Sequence, residues 1–377
     1  MDRLRVTSIV GTRPEIIRLS RVIAKLDAHC DHRLVHTGQN YDIELNEIFF
    51  RELGIRAPDH ALGCAGRNAA ETIGNVIIAT DRLLEAHPTD AVLILGDTNS
   101  SLAAIAAKRR KIPIFHLEAG NRCFDQRVPE EINRRIVDHI SDVNLTYSGF
   151  AREMLLREGL PPDRVIKVGS PLFEVLEHHR AQIEGSGVLE AMGLEPGRFF
   201  VASLHREESI EPDDAFARVI EVLDAVAERH GQPIVLSTHP RTRQRIERSG
   251  RSFHPLVRLV KPLGFPDYVQ LQLSARAVLS DSGSLTEEAS ILGFPALNLR
   301  EVQERHEGME EAAVMLVGLD ATRVLQGLEV LATYPRLPAR HTCPVADYCA
   351  PDFSEKVVRL ILSYKDYVDR VVWRKAV

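Results

Sequence analysis

Short runs of β-branched and other apolar residues recur along the chain, separated by stretches with helical spacing. In the first half they fall at 5–10, 33–37, 91–95, 112–116, 142–147 and 165–168. In the second half they fall at 199–204, 233–238, 257–260, 277–280, 296–299 and 313–317. Runs this short and this apolar predict strands buried in parallel sheets, with the helices between them as β-α-β crossovers. After the first run, Ile16, Ile17, Leu19, Val22, Ile23 and Leu26 recur every three or four residues, so a helix buries one face. Pro14 suits its first turn, where a missing N–H leaves no bond unmade, and Glu15 complements the positive helix start. A second amphipathic pattern, Val357, Val358, Leu360, Ile361, Leu362, Tyr364 and Val368, predicts a helix over 353–373.

A boundary is predicted near 169–195, where Gly169-Ser170-Pro171, a polar stretch at 178–180 and Gly185-Ser186-Gly187 interrupt the pattern. About six strands on each side predict two Rossmann-like α/β domains with parallel sheets facing a central cleft. Such folds bind ligands at the carboxyl ends of their strands, which makes that cleft the expected site.

Composition narrows the function. Of 377 residues, 44% are hydrophobic and 27% charged, enough apolar material for two cores. A formal net charge of −6 argues against nucleic acid as a partner. The basic run 108–111 reads as a solvated helix end. No apolar stretch approaches the roughly 18 residues of a membrane span, and the first apolar run is too short for a signal-peptide core. The expectation is a cytoplasmic protein with no membrane partner. Five cysteines, an odd number without a C-x-x-C pair, read as reduced thiols. His32 and His36 lack an evident acidic partner, so no metal is expected. No G-x-G-x-x-G follows a strand, and neither a Walker loop nor a G-x-S-x-G elbow occurs.

Chemistry-bearing residues instead gather just after the predicted strands. Gly11-Thr12-Arg13 follows the first; Asp97 and Glu118 follow the third and fourth, with Glu130 and Arg134 shortly beyond. In the second half, His205, His239 and Asp281-Ser282-Gly283-Ser284 hold corresponding places, followed by Glu287, Glu288, Arg300 and Arg305. The Ser-Gly-Ser turn before a helix predicts an anion cradle, because small residues let backbone N–H groups approach a phosphate. Glu287 or Glu288, one turn in, is placed to accept ribose hydroxyls. Arg13 offers a guanidinium fork for a diphosphate. Asp97, Glu118, Glu130 and His205 supply acid–base groups for proton removal and return beside a phosphate leaving group.

In order, GTRPE at 11–15, GDT at 96–98, HLEAGNR at 116–122, PEEINR at 129–134, HREES at 205–209 and DSGSLTEE at 281–288 resemble the non-hydrolysing UDP-N-acetylglucosamine 2-epimerase family over nearly the whole chain. The longer segments GTRPEIIRLS, HTGQNYD, GNRCFDQRVPEEINR and STHPRTR, with the tail SYKDYVDRVVWRK, look most like its UDP-N-acetyl-L-fucosamine synthase subgroup. The resemblance implies a GT-B fold. Its first domain would be 1–172 with the returning helix 353–377, and its UDP-binding domain 173–352. It further implies a cytoplasmic isomerase without cofactor, a UDP-sugar as its ligand, a homodimer, and a place in capsule or lipopolysaccharide precursor synthesis.

Carried over by motif, Asp97, Glu118, Glu130 and His205 become the catalytic set. Arg13, Arg134, His239, Ser282, Gly283, Ser284, Glu288 and Arg305 become substrate or UDP contacts. Arg18 stands where the family's GlcNAc enzymes carry lysine, which points to another sugar. His306 stands where they carry proline. The implied reaction is C2 epimerisation of UDP-2-acetamido-2,6-dideoxy-L-talose, with epimerisation of UDP-N-acetylglucosamine as the nearest alternative. A GT-B glycosyltransferase and a silent UDP-sugar-binding regulator are the other classes.

Overall fold

The computed structural model describes residues 3–39, 50, 52–238, 240–333 and 343–375. The chain divides into two compact units: unit 1 is Met1–Glu177 with Asp347–Val377, and unit 2 is His178–Ala346. The first division, after Glu177 rather than the expected 172, falls at the end of the helix Pro171–His178, whose buried Leu172, Val175 and Leu176 lie in unit 1.

Unit 1 is built on seven strands: β1 Arg5–Val10, β2 Asp31–His36, β3 His60–Ala61, β4 Ala91–Leu95, β5 Ile114–Leu117, β6 Val143–Thr146 and β7 Val165–Lys167. They form one parallel sheet in the order β3-β2-β1-β4-β5-β6-β7. The central strands read as unbroken apolar runs because helices cover both faces; all five residues of β4 are buried. Two-residue β3 has no apolar run of its own and was not expected. Unit 2 carries β8 Phe200–Ser203, β9 Ile234–Ser237, β10 Val257–Val260, β11 Ala277–Ser280, β12 Ala296–Asn298 and β13 Met315–Leu316. Its sheet is also parallel, in the order β10-β9-β8-β11-β12-β13. Phe200, Ala202, Ile234, Leu236 and Leu279 belong to its core.

In each sheet the strand order reverses once, between β1 and β4 and between β8 and β11. The diverging chain opens a crevice at the carboxyl end of such a switch point, where ligands of this fold bind. Helix α1, Arg13–His29, leaves β1 there; helix α2, Pro129–Ile140, follows β5; helix α3, Leu285–Leu292, follows β11. The last helix, α4, Phe353–Val371, buries Phe353, Val357, Val358, Ile361 and Val368 in unit 1. It is pinned by Lys25–Glu355 at 2.9 Å and by Ser354, whose hydroxyl donates to Glu174 at 2.6 Å.

The cysteine expectation needs correction. Cys30, Cys64 and Cys123 are buried free thiols, but Cys343 and Cys349 are disulfide-bonded. Six residues of separation keep both sulfurs within bridging reach, which a search for C-x-x-C or an even-numbered framework does not detect. Among the described residues no helix is long and apolar enough to cross a membrane.

Candidate functional site

Unit 1 places four carboxylates at the ends of β1, β4 and β5 and at the start of α2. Glu15, the third residue of α1, is buried. Its Oε2 accepts the Gly11 N–H at 2.6 Å and its Oε1 the Thr98 hydroxyl at 2.8 Å. It thereby ties the turn after β1 to the turn after β4. Burial outweighs these hydrogen bonds and pushes its carboxyl up to about 7.

Pairing of Leu95 with Leu117 sets Gly96 and Glu118 side by side as β4 and β5 end. Gly96 takes φ +74, the left-handed region that glycine enters freely. Glu118 takes φ +66 without that freedom. A side chain held there costs on the order of 1–2 kcal/mol, so its surroundings must fix it. Arg18, only 6% exposed, donates to Glu118 Oε2 at 2.7 Å, and Asn121 lies 3.5 Å from Oε1. Asp97 is gripped by Arg134 of α2, whose Nε lies 2.8 Å and whose second guanidinium nitrogen lies 2.7 Å from Oδ2. Asn133 donates to the Asp97 carbonyl at 3.0 Å.

Glu130 is half-buried on the first turn of α2, four residues before Arg134 and so on the same helix face. Its neighbour Glu131 is fully buried and differently employed. It accepts from the Cys123 N–H at 2.9 Å and pairs with Arg134 at 3.3 Å and Arg135 at 2.9 Å. Burial pushes the Glu131 carboxyl up, but the Cys123 bond and the two arginines prevail and hold it below its ordinary value.

Unit 2 builds an anion-ready turn. Pairing of Ser280 with Ser203 puts the ends of β11 and β8 together. The buried Asp281 carboxylate accepts the His205 N–H at 3.1 Å and the Arg206 N–H at 3.0 Å, and the His205 ring lies 3.2 Å away. Burial pushes Asp281 up, yet the imidazole and the two N–H bonds prevail and lower it. That turn presents an exposed His205 side chain.

Ser282, Gly283 and Ser284 lead into α3, their two hydroxyls 2.9 Å apart. A methyl group on Gly283 would meet Glu304 Oε1 at 2.1 Å, so any larger residue must displace the Glu304 carboxylate. Arg305, buried, donates from Nε to the Gly283 carbonyl at 2.9 Å and pairs with buried Glu287 at 2.7 Å. Glu288 accepts from Gln272 at 2.6 Å. Three small residues at the start of a helix, braced from beneath by an arginine, suit a phosphate group.

A family model described as UDP-N-acetylglucosamine 2-epimerase matches residues 24–362, nine-tenths of the chain. The chain belongs to the UDP-N-acetylglucosamine 2-epimerase family. Its fold is accordingly of the GT-B type found in this epimerase family, and the family's chemistry is isomerisation. The solved UDP-N-acetylglucosamine 2-epimerase of Rickettsia bellii is 47% identical, with a TM-score of 0.91 over 99% of this chain and 100% of that one. The Methanocaldococcus jannaschii UDP-GlcNAc 2-epimerase, solved in complex with UDP-GlcNAc and UDP, is 30% identical, with a TM-score of 0.88 over 96% and 100% of the two chains. A curated UDP-2,3-diacetamido-2,3-dideoxy-D-glucuronate 2-epimerase of Pseudomonas aeruginosa is 32% identical over 84% of this chain and 88% of its own length.

Within this epimerase-family chain, Asp97, Glu118, Glu130 and Arg134 gather around the ends of β4 and β5 in unit 1, with Arg13 opening α1. His205, Ser282, Gly283, Ser284, Glu288 and Arg305 gather at the β8/β11 switch of unit 2. His239 lies outside the described residues. Among the described contacts, Arg305 braces the turn through Gly283 and Glu287. Sequence reasoning noted Arg18 only as a departure and passed over Asn133 and Glu15 as site residues. Their signal was available for α1: Glu15 and Arg18 lie among Ile16, Leu19 and Val22 on its buried face, where charge needs a reason.

Proposed function

We propose that this protein inverts C2 of a UDP-linked 2-acetamido sugar by eliminating UDP and adding it back. A carboxylate of unit 1 takes the C2 proton as the C1–O bond to UDP breaks, leaving a C1=C2 double bond. The UDP oxygen then returns to C1 while a second acid delivers a proton to the opposite face of C2. The sequence is redox-neutral and every atom is conserved. Glu118 and Glu130 handle the C2 protons, and Asp97 shares that role. His205 completes the catalytic set, the Ser282-Gly283-Ser284 turn holds the diphosphate, Glu288 the ribose, and Arg13, Arg134, His239 and Arg305 support binding.

The observation that carries this reading is Glu118: a non-glycine at φ +66 at a strand end, its carboxylate fixed by a nearly buried arginine. Backbone strain maintained at one ionisable side chain fits a proton-transfer role. The turn before α3 supplies the diphosphate half of the requirement.

For the sugar, we propose UDP-2-acetamido-2,6-dideoxy-L-talose, giving UDP-N-acetyl-L-fucosamine for capsule or lipopolysaccharide precursors. The extended motifs and Arg18 support this choice. The second reading is UDP-N-acetylglucosamine to UDP-N-acetylmannosamine, favoured by the names of the relatives above. Incubation of the protein with each UDP-sugar in deuterated water, followed by NMR, tests both levels. Deuterium at C2 of the product is expected, with faster turnover of the talose derivative. Product that keeps protium at C2 would overturn the mechanism; turnover of the glucosamine compound alone would overturn the sugar. Glu118→Gln is expected to lower the exchange rate by about 10²–10⁴-fold while UDP still binds.

A further inference from the structure

His116 lies on β5, two residues before Glu118, with no exposed surface. Its ring lies between a carbonyl oxygen, hydrogen-bonded to Nε2, and a carboxylate within ion-pair distance of Nδ1. Nε2 lies 2.8 Å from the Gly96 carbonyl oxygen, and Nδ1 lies 2.9 Å from Asp138 Oδ1 of α2. A carbonyl can only accept. The Asp138 carboxylate already accepts from Arg122 at 2.7 Å and from the Gly120 N–H at 3.2 Å. With Arg122 against it, Asp138 stays ionised, and an anion 2.9 Å from Nδ1, close enough for an ion pair though not aligned as a hydrogen bond, favours the doubly protonated ring. The charged groups around the ring are Asp138 from α2, Arg122 beyond it with Glu158 at 2.6 Å, and Asp97 past Gly96. His116 and Arg122 balance Asp138 and Glu158, which makes a buried cation affordable. Burial opposes the charge on His116, but Asp138, the Gly96 carbonyl and Asp97 outweigh it and raise the ring above its ordinary value.

The Gly96 carbonyl belongs to the turn that delivers Asp97. Gly96 also lies beneath Glu118: a methyl group added there would stand 3.7 Å from Glu118 Oε2. The ring therefore holds the platform under both carboxylates, and Asp138 ties residues 116, 120 and 122 on either side of Glu118.

We propose that His116 is a positioning residue, a permanent imidazolium that fixes the Gly96–Asp97 turn and keeps the carboxylates beside it ionised. This rests on the roles given above to Asp97 and Glu118. The direct test is NMR of the wild-type protein carrying 15N-histidine. At about pH 8, where an ordinary imidazole is neutral, the His116 ring should still be doubly protonated. A neutral ring there overturns the proposal, and this measurement does not depend on a variant folding.

The functional test is His116→Gln. Misplaced carboxylates should lower kcat on the order of a hundredfold. The acid limb of its pH profile should move to higher pH, because a lost cation lets the carboxylates protonate earlier. The Kd for UDP should stay within roughly twofold, since the turn of unit 2 is untouched. A reduced kcat with an unmoved acid limb would overturn the electrostatic role. Failure of the underlying reading shows separately, as wild-type protein that places no deuterium at C2.

Discussion

Glu15→Gln isolates the energetic cost of one buried carboxyl. Below its ordinary value of 4.5, folded and unfolded chains both hold the proton. Between 4.5 and about 7 only the folded chain does, so stability falls as pH rises. Above that range the folded chain carries the full desolvation cost. Between pH 5 and pH 8 the linkage integral amounts to about 2.5 kcal/mol, and the positive start of α1 offsets about 0.5 of it. Glutamine keeps the contacts: its oxygen accepts from Gly11 N–H, and its amide donates to Thr98 Oγ. Relative to wild type, the variant should therefore gain about 2 kcal/mol on going from pH 5 to pH 8. Urea unfolding followed by fluorescence measures this cleanly. The single tryptophan, Trp373, belongs to unit 1, as Glu15 does. Comparing variant with wild type at each pH cancels every other titrating group. A difference in stability that is equal at both pH values would refute the reasoning.

Two further substitutions separate the two units. Arg18→Lys replaces a guanidinium seated 2.7 Å from Glu118 with a point charge of different reach, so kcat should fall about tenfold with UDP affinity unchanged, as steady-state kinetics and calorimetry would record. Gly283→Ala forces a methyl group against Glu304, so UDP affinity by calorimetry should fall about tenfold or more, with Trp373-detected unfolding of unit 1 unaltered.

The strands were legible because a parallel sheet covered on both faces leaves an apolar run, and all twelve runs overlap an observed strand. β3 was not, since two residues ending in an edge position leave no pattern. The chemistry after each strand was legible from polar residues following apolar ones. The ties between those residues were not. Arg134 reaches Asp97 across 37 positions and Arg18 reaches Glu118 across 100, contacts that only the strand order creates. The same holds for His116, whose place in a motif gives no hint that a carbonyl and a carboxylate flank its ring. The cysteine count misled at Cys343 and Cys349 because it treated pairing as a property of the whole chain.

Helix α4 gives the chain an order of assembly. Unit 2 is a single stretch, His178–Ala346, inserted into unit 1. During synthesis unit 2 has all its residues before unit 1 does, although unit 1 begins first. Until α4 emerges, the surface of α1 and Tyr147 that receives Phe353 stays uncovered. A nascent chain must therefore shelter an unfinished first unit while the second matures, and a frameshift late in the message would damage the unit that was translated earliest.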